Sequence, residues 1–184
     1  METDLSLLDA AMRMDQQALA AIFDRYATDL YNYALHMRSD SLKADQIVGD
    51  AFSKFLEQMA AGKGPETNLR SHLYKITYRL LADGLQFPQK EVSLELADFE
   101  LENGEGQQSM TSNPGNKTLM EGLIFAIRNH LTANQRHVIV LRFVEEFSLR
   151  ETAEIVGNKI GNVRAIQNRG IAKLCKVLDQ KVME

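Results

Sequence analysis

The last third of the chain contains a run of cations that no carboxylate interrupts. Five Lys and Arg residues lie between Val156 and Leu178, whereas a solvated helix normally carries charges of both signs. They are Lys159, Arg164, Arg169, Lys173 and Lys176. Such a surface favours a polyanionic partner, and Asn and Arg side chains can hydrogen-bond base edges or phosphates. The segment therefore indicates a contact with nucleic acid.

Two short helices joined at Gly157 are predicted to position these cations. Ser148 and Glu151 match a capping box, and Gly157 follows where a left-handed C-cap is expected. The helical wheel of the second helix, from about Ile160, leaves an outer face of small and polar residues, which would let a groove come close. That face holds Gly161, Asn162, Ala165, Asn168, Arg169, Ala172 and Lys176. The pattern favours a DNA-reading helix-turn-helix over the alternative of a packed helical corner without DNA.

The net charge of -4 is unevenly distributed. Residues 1–87 carry -3, residues 88–118 carry -4 and residues 119–184 carry +3. The middle stretch is rich in Gly, Asn, Ser, Gln and acids, which is typical of a flexible linker. The acidity therefore belongs to the front and the middle of the chain, and the basic end is the part expected to meet DNA.

Helical periodicity dominates on both sides of the linker. An apolar stripe runs from Leu19 to Met37, Ser41 is predicted to cap a second helix, and Asn68 is predicted to cap a third. Thr132 and Gln135 form another capping box in the rear segment. We therefore expect an all-α protein of two small helical domains. The front domain (1–87) is a three-helix-type bundle, an acidic flexible linker (88–118) follows, and the rear domain (119–184) contains the helix-turn-helix.

Other function classes find little support. The lone Cys175 excludes an internal disulfide and a zinc site of clustered cysteines, and the four histidines show no metal spacing. No phosphate loop or nucleophile motif is present, so we expect no enzyme activity, no cofactor and no metal. No apolar run approaches the ~20 residues that span a bilayer, so we expect no membrane insertion and a cytoplasmic protein.

An ordered series of motif residues resembles the promoter-binding C-terminal region of the bacterial extracytoplasmic-function (ECF) sigma factors. The matching residues are Leu131, Gln135, Arg136, Val138, Leu141, Arg142, Ser148, Glu151, Ala153, Gly157, Gly161, Val163, Arg164, Arg169 and Leu174. In the front domain, "KADQIVGDAFSKFLE" is similar to the family's polymerase-binding helix, and "LRSHLYKITYRLLADGL" to its minus-ten helix. His72, Thr77 and Arg79 depart from the family's usual Trp, Ala and Asn.

The resemblance implies a transcription initiation factor that brings core RNA polymerase to promoters. Contact with the coiled coil of the largest polymerase subunit is expected at Asp45, Gln46, Asp50, Ser53 and Glu57. The minus-ten element is expected at Lys63, Asn68, His72, Lys75, Tyr78 and Arg79. The minus-thirty-five element is expected at Asn162, Arg164, Ala165, Asn168 and Arg169, with Arg142, Arg150 and Lys173 on phosphates.

Two alternative functions remain open at the level of the sequence. One is a helix-turn-helix regulator that binds operator DNA without polymerase. The other is a sigma-like interaction protein without promoter recognition, because no Lys/Arg cluster follows Asp83. An anti-sigma partner is common in the family that the chain resembles, although no residue pattern identifies one here.

Overall fold

A computed structural model describes residues 3–38, 40–65, 67–83 and 114–182. Over these residues the chain is helical, as predicted, with a π-helical turn at Val140–Val144. The helices are α1 (Asp4–Met12), α2 (Gln16–Arg38), α3 (Ser41–Ala60), α4 (Leu69–Asp83), α5 (Pro114–His130), α6 (Ala133–Ile139), α7 (Leu149–Val156) and α8 (Ile160–Val182). Most of the predicted linker lies outside the described residues. Its last five positions belong to α5, which begins at Pro114 rather than near Leu119.

The front domain contains the three predicted helices and one more. The α2 stripe is buried through Ile22, Leu30 and Tyr33, as its periodicity indicates. Helix α1, which the sequence analysis did not predict, buries Leu7 and Leu8 against this bundle. A nine-residue helix offers too few turns for a convincing apolar stripe.

The helix starts of the front domain are partly as predicted. Asn68 caps α4, since its Oδ1 accepts a hydrogen bond from the Ser71 N–H at 3.0 Å. The prediction that Ser41 caps α3 is wrong. Asp40 is the N-cap and accepts from the Lys43 N–H at 3.2 Å, which makes Ser41 the first helical residue. Because Asp40 and Ser41 can both cap a helix, the sequence defines the start of α3 only to within one residue.

The rear domain folds as its local signals predict. Both capping boxes form, Thr132 with Gln135 and Ser148 with Glu151. Gly157 has φ 65° and ends α7 in the left-handed conformation. Helix α8 crosses α6 so closely that a Cβ at Gly170 would lie 3.1 Å from the Ile139 side chain.

The two domains pack against each other, which the prediction of tethered domains did not include. Buried residues of α2 and α4 belong to the same apolar cluster as those of α5, α6 and the segment before α7. Tyr74 of α4 and Phe147 meet edge to face, with ring centroids 4.8 Å apart. Most buried apolar residues of the described chain thus form one cluster that crosses the domain boundary, beside a smaller cluster of Val138, Ala153 and Val163 in the rear domain. The surfaces of the two domains therefore have to be considered together.

Candidate nucleic-acid and polymerase interfaces

The predicted outer face of α8 is exposed along its length. Asn162, Arg164, Ala165, Asn168 and Arg169 are all on the surface, while Val163 on the opposite side is fully buried. The helix therefore turns its small and polar residues outward, as a helix in a DNA groove must. No carboxylate interrupts this face within the described part of α8 whose side chains are placed.

A residue that the sequence analysis missed orients the start of this face. Asn158 Oδ1 accepts a hydrogen bond from Asn162 Nδ2 at 3.0 Å and another from the Lys159 N–H at 2.8 Å. Because Asn162 donates to Asn158, its own carbonyl oxygen is directed away as an acceptor. The sequence does contain a signal for this role: Asn158 directly follows the C-cap Gly157, and an Asn side chain at such a position often bonds to nearby backbone groups.

The three cations predicted to grip phosphate lie in different environments. Lys173 is exposed, and Arg150 is exposed but paired with Glu154 at 3.3 Å. Arg142 is half-buried: its Nε donates to Gln167 Oε1 at 3.0 Å, and its Nη1 donates to the Phe147 carbonyl. These bonds attach α8 to the segment before α7, so Arg142 holds α8 in place and its guanidinium is already engaged.

The residues predicted to meet the minus-ten element share one side of α4 and the loop before it. Lys63 and Arg79 are exposed, and Lys75 is half-buried. His72 Nε2 lies 2.6 Å from Gln58 Oε1. Burial, followed by the charges of Lys75 and Arg79, lowers the pKa of His72, so the ring is neutral near pH 7 and adds no positive charge.

Two of the predicted minus-ten residues contact the rear domain. Asn68 Nδ2 donates to Glu151 Oε1 at 3.2 Å, and the half-buried Tyr78 ring lies 4.8 Å from the His137 ring, edge to face. Ser71, one turn before Lys75 on α4, is buried. The rear domain thus covers one edge of the proposed minus-ten surface.

Glu145 forms the centre of one polar contact between the domains. Its side chain is 8% exposed and accepts a hydrogen bond from Tyr74 Oη, while Arg70 Nη2 donates to its backbone carbonyl at 2.8 Å. The Arg70 guanidinium also lies 4.2 Å from the centroid of the Phe147 ring. Burial raises the pKa of Glu145, although the Tyr74 hydrogen bond and Arg70 oppose that change.

The backbone before α7 places Glu145 and Phe147 at this contact. The π-helical turn ends with the Glu145 N–H bonded to the Val140 carbonyl at 2.9 Å. Glu146 then adopts a left-handed φ of 57°, which is uncommon for a residue other than glycine. The chain reverses there, and the Phe147 N–H bonds to the Leu141 carbonyl at 2.9 Å.

A second contact between the domains pairs Tyr33 of α2 with His137 of α6. Tyr33 Oη and His137 Nδ1 are 2.7 Å apart, and both side chains are buried. Burial, followed by the charges of Arg136 and Arg38, lowers the pKa of His137 to about 3. The ring is therefore neutral at physiological pH and behaves as part of the core.

The predicted polymerase-binding face of α3 is fully open. Asp45, Gln46, Asp50, Ser53 and Glu57 are all exposed, and from Gln46 onward they follow one another at four- and three-residue steps, with Asp45 adjacent to Gln46. Leu42 lies one turn earlier on the same face and is 80% exposed. The sequence analysis did not include it, because periodicity alone does not mark a single apolar residue among polar ones.

No group of three or more His, Cys, Asp or Glu side chains that could hold a metal occurs among the described residues. In the same part of the chain, no helix combines the length and the apolar character needed to cross a membrane.

Two family models match the chain, in the order that the fold presents them. The model described as Sigma-70 region 2 matches residues 22–87, and that described as Sigma-70, region 4 matches residues 129–176. Together they cover more than half of the chain, one in each domain. The fold and its surfaces thus define a two-region protein of the sigma-70 class.

Curated relatives specify the class further. The chain is 23% identical over 175 residues to the ECF RNA polymerase sigma factor BldN of Streptomyces coelicolor, covering 95% of this chain and 65% of that protein. It is 22% identical over 166 residues to the ECF RNA polymerase sigma factor SigX of Bacillus subtilis, covering 89% and 85%. The chain belongs to the ECF sigma factors of bacterial RNA polymerase, which are not enzymes, and it directs polymerase to promoters through regions 2 and 4.

Solved structures agree on the fold. CnrH, solved in complex with the cytosolic domain of CnrY, superposes with a TM-score of 0.71 at 20% identity, over 97% of this chain and 99% of that one. The sigma factor RpoE of Bartonella quintana, solved with the anti-sigma factor NepR, gives a TM-score of 0.61 at 22% identity, over 85% and 94%. The predicted family, fold class and function are confirmed, and the roles of single residues remain predictions.

Proposed function

We propose that three surfaces divide the work of promoter recognition. The outer face of α8 reads the minus-thirty-five element with Asn162, Arg164, Ala165, Asn168 and Arg169, and Arg150 and Lys173 contact phosphates. The observation that carries this assignment is the exposed, carboxylate-free face of α8. Arg142 serves it by fixing the helix from behind, through its bonds to Gln167 and Phe147.

The proposed minus-ten surface consists of Lys63, Asn68, His72, Lys75, Tyr78 and Arg79. Lys75 and Arg79 hold phosphates, and Tyr78 stacks on an unpaired base. Because Asn68 and Tyr78 contact the rear domain, the two domains have to separate before this surface is fully available. Separation breaks apolar and hydrogen-bonded contacts, and binding energy from core polymerase and DNA offsets that cost.

The α3 face, extended by Leu42, is proposed to dock on the coiled coil of the largest polymerase subunit. Its carboxylates orient the encounter, while the exposed leucine supplies apolar area at the contact. The protein acts in the cytoplasm, where the polymerase is, and an anti-sigma protein is a further proposed partner.

Transcription with purified core polymerase tests the division of labour. Promoters are first selected from random DNA with the assembled holoenzyme. We expect Arg169→Ala to lose promoter binding while keeping its affinity for core polymerase, and Asp50→Lys to show the reverse. Arg13→Ala and Asp24→Lys change exposed charges on other helices and serve as matched controls. Loss of both activities in either variant would contradict the assignment.

A further inference from the structure

A cavity of about 560 Å³ lies between the end of α2 and helices α5 and α6. Three arginines line it: Arg38 comes from the front domain, and Arg128 and Arg136 come from the rear domain. Met37 and the half-exposed Phe125 ring supply apolar surface beside them. None of the described residues that line the cavity is acidic, and none belongs to the three surfaces proposed above.

Hydrogen bonds to backbone carbonyls hold two of the guanidinium groups at the end of α2. Arg128 Nη2 donates to the Leu35 carbonyl at 3.4 Å, and Arg136 Nη1 donates to the Met37 carbonyl at 3.2 Å. The Nε atoms of all three arginines are buried, and none has a hydrogen-bond partner in the described part of the protein. Several unsatisfied charged donors around one cavity are unusual and require a physical explanation.

The local charge balance points in the same direction. Among the described residues no carboxylate forms an ion pair with these three arginines. The C-terminus of α2 contributes a partial charge of only about -0.5, against three full positive charges. Burial, followed by the charge of Arg128, lowers the pKa of Arg136, and the same two causes lower the pKa of His36. Among the side chains that the structure describes, the cluster therefore has no counter-charge beyond that of the helix end.

We propose that this cavity binds the phosphoryl group of a small soluble ligand. A phosphoryl group carries close to two negative charges and three acceptor oxygens, which match several guanidinium groups better than one carboxylate does. The guanidinium planes are already held by the carbonyls of α2, so little side-chain freedom is lost on binding. The Phe125 ring gives a larger phosphorylated ligand an apolar surface beside the arginines.

Binding is coupled to the arrangement of the domains. The cavity is complete only when Arg38 of the front domain faces Arg128 and Arg136 of the rear domain. A ligand at free concentration c that binds only this arrangement stabilises it by RT ln(1 + c/Kd), so the stabilisation grows with the logarithm of the ligand concentration once that exceeds the dissociation constant. A phosphorylated ligand would therefore hold the rear domain over Asn68 and Tyr78 and oppose promoter engagement.

Calorimetric titration of the full chain with inorganic phosphate and with pyrophosphate, at constant ionic strength, tests the site. We expect saturable binding of one ion per chain, weakened at least about tenfold by Arg38→Gln and by Arg128→Gln. Arg13→Gln removes the same charge from the exposed C-cap position after α1 and should bind as the wild type does. Circular dichroism confirms that each variant is folded, and Arg128→Lys, which keeps the charge, should retain part of the affinity.

Domain closure is measured separately, with one dye on the native Cys175 and another on Thr28→Cys, both exposed positions. Pyrophosphate should raise the closed fraction of this protein and leave it unchanged when Arg128→Gln is added. Absence of saturable binding, or equal affinity in the Arg38, Arg128 and Arg13 variants, would overturn the site. Binding that leaves the closed fraction unchanged would overturn the coupling.

Discussion

The two helices that we propose to face DNA differ in how much of their surface is available. Helix α8 in the rear domain presents its whole outer face to solvent, including Asn162 and Arg169. Helix α4 in the front domain presents Arg79 in the same way, but Asn68 and Tyr78 are in contact with the rear domain. Both faces are recognisable from helical periodicity, and only one of them is open.

The difference separates what periodicity establishes from what it leaves undetermined. A helical wheel identifies the side that a helix turns away from its own bundle. It contains no information about a second domain that covers that side. In this chain the covering domain belongs to the same protein. We therefore expect access to the front surface to depend on a conformational equilibrium, and access to α8 to be independent of it.

The largest expected effect comes from removing the apolar contact between the domains. Phe147 is 1% exposed and packs against Tyr74 and the Arg70 guanidinium. Phe147→Ala should lower the stability of the closed arrangement by about 3–5 kcal/mol, the usual loss for a buried phenylalanine. The dye pair at Cys175 and Thr28→Cys should then report separated domains.

Phe143→Ala is the matched control, because Phe143 lies nearby in the π-helical turn and is 54% exposed. Its closed fraction should equal that of the wild type. Equal opening in both variants, or in neither, would show that the contact at Phe147 does not hold the domains together.

The second effect concerns the open face. Arg169→Ala should weaken binding of the free chain to selected duplex DNA by about 1–3 kcal/mol, the range for a good contact to a base. Since α8 is already exposed, the loss should be the same in the wild type and in the Phe147→Ala background. Fluorescence anisotropy of labelled duplex DNA measures the loss of affinity in each background. A loss that depends on the background would mean that closure also restricts α8.

The third effect uses the buried histidine between the domains. The unfolded chain protonates His137 below its ordinary pKa of 6.5, whereas the folded protein resists protonation down to about 3. Stability therefore falls as the pH drops through this window, by about 1.4 kcal/mol at pH 5.5. Urea unfolding at pH 7.5 and at pH 5.5 measures this loss.

His137→Asn isolates this contribution, since the Asn oxygen reaches the position of Nδ1 and does not titrate. The variant should lose about 1.4 kcal/mol less than the wild type between the two pH values. Glu145, whose raised pKa acts in the opposite direction, is present in both proteins and cancels in the comparison. An identical loss in both would show that His137 becomes protonated in the folded protein.

Local signals predicted most of the rear domain. Ser148, Thr132 and Gly157 act within one helical turn of their own positions, so a short window of sequence contains the whole interaction. Arg142 shows the limit of this reasoning, because its partner Gln167 is 25 residues away. The family resemblance correctly predicted both sigma regions of the protein. Neither the resemblance nor the helical patterns predicted the contacts of Glu145 or His137.

The predictions for the front domain failed where two neighbouring residues could both cap a helix, or where a helix was too short to show an apolar stripe. Helix α1 has nine residues, and its stripe of Leu7, Leu8 and Ala11 becomes meaningful only once α2 provides a surface to pack on. At the start of α3, Asp40 and Ser41 are both good capping residues, and the sequence does not rank them.

The smallest expected effects come from removing helix caps, and they compare the start of α3, where two capping residues are adjacent, with the start of α7, where only Ser148 can cap. Ser148→Ala should lower stability by about 1 kcal/mol, because it removes a capping box. Asp40→Ala should lower Tm by about 2–4 °C, because it removes the N-cap hydrogen bond to the Lys43 N–H, while Ser41→Ala should leave Tm unchanged. Differential scanning calorimetry of the three variants measures the shifts. If Ser41→Ala lowered Tm as much as Asp40→Ala, α3 would begin one residue later in solution, as the sequence analysis first predicted.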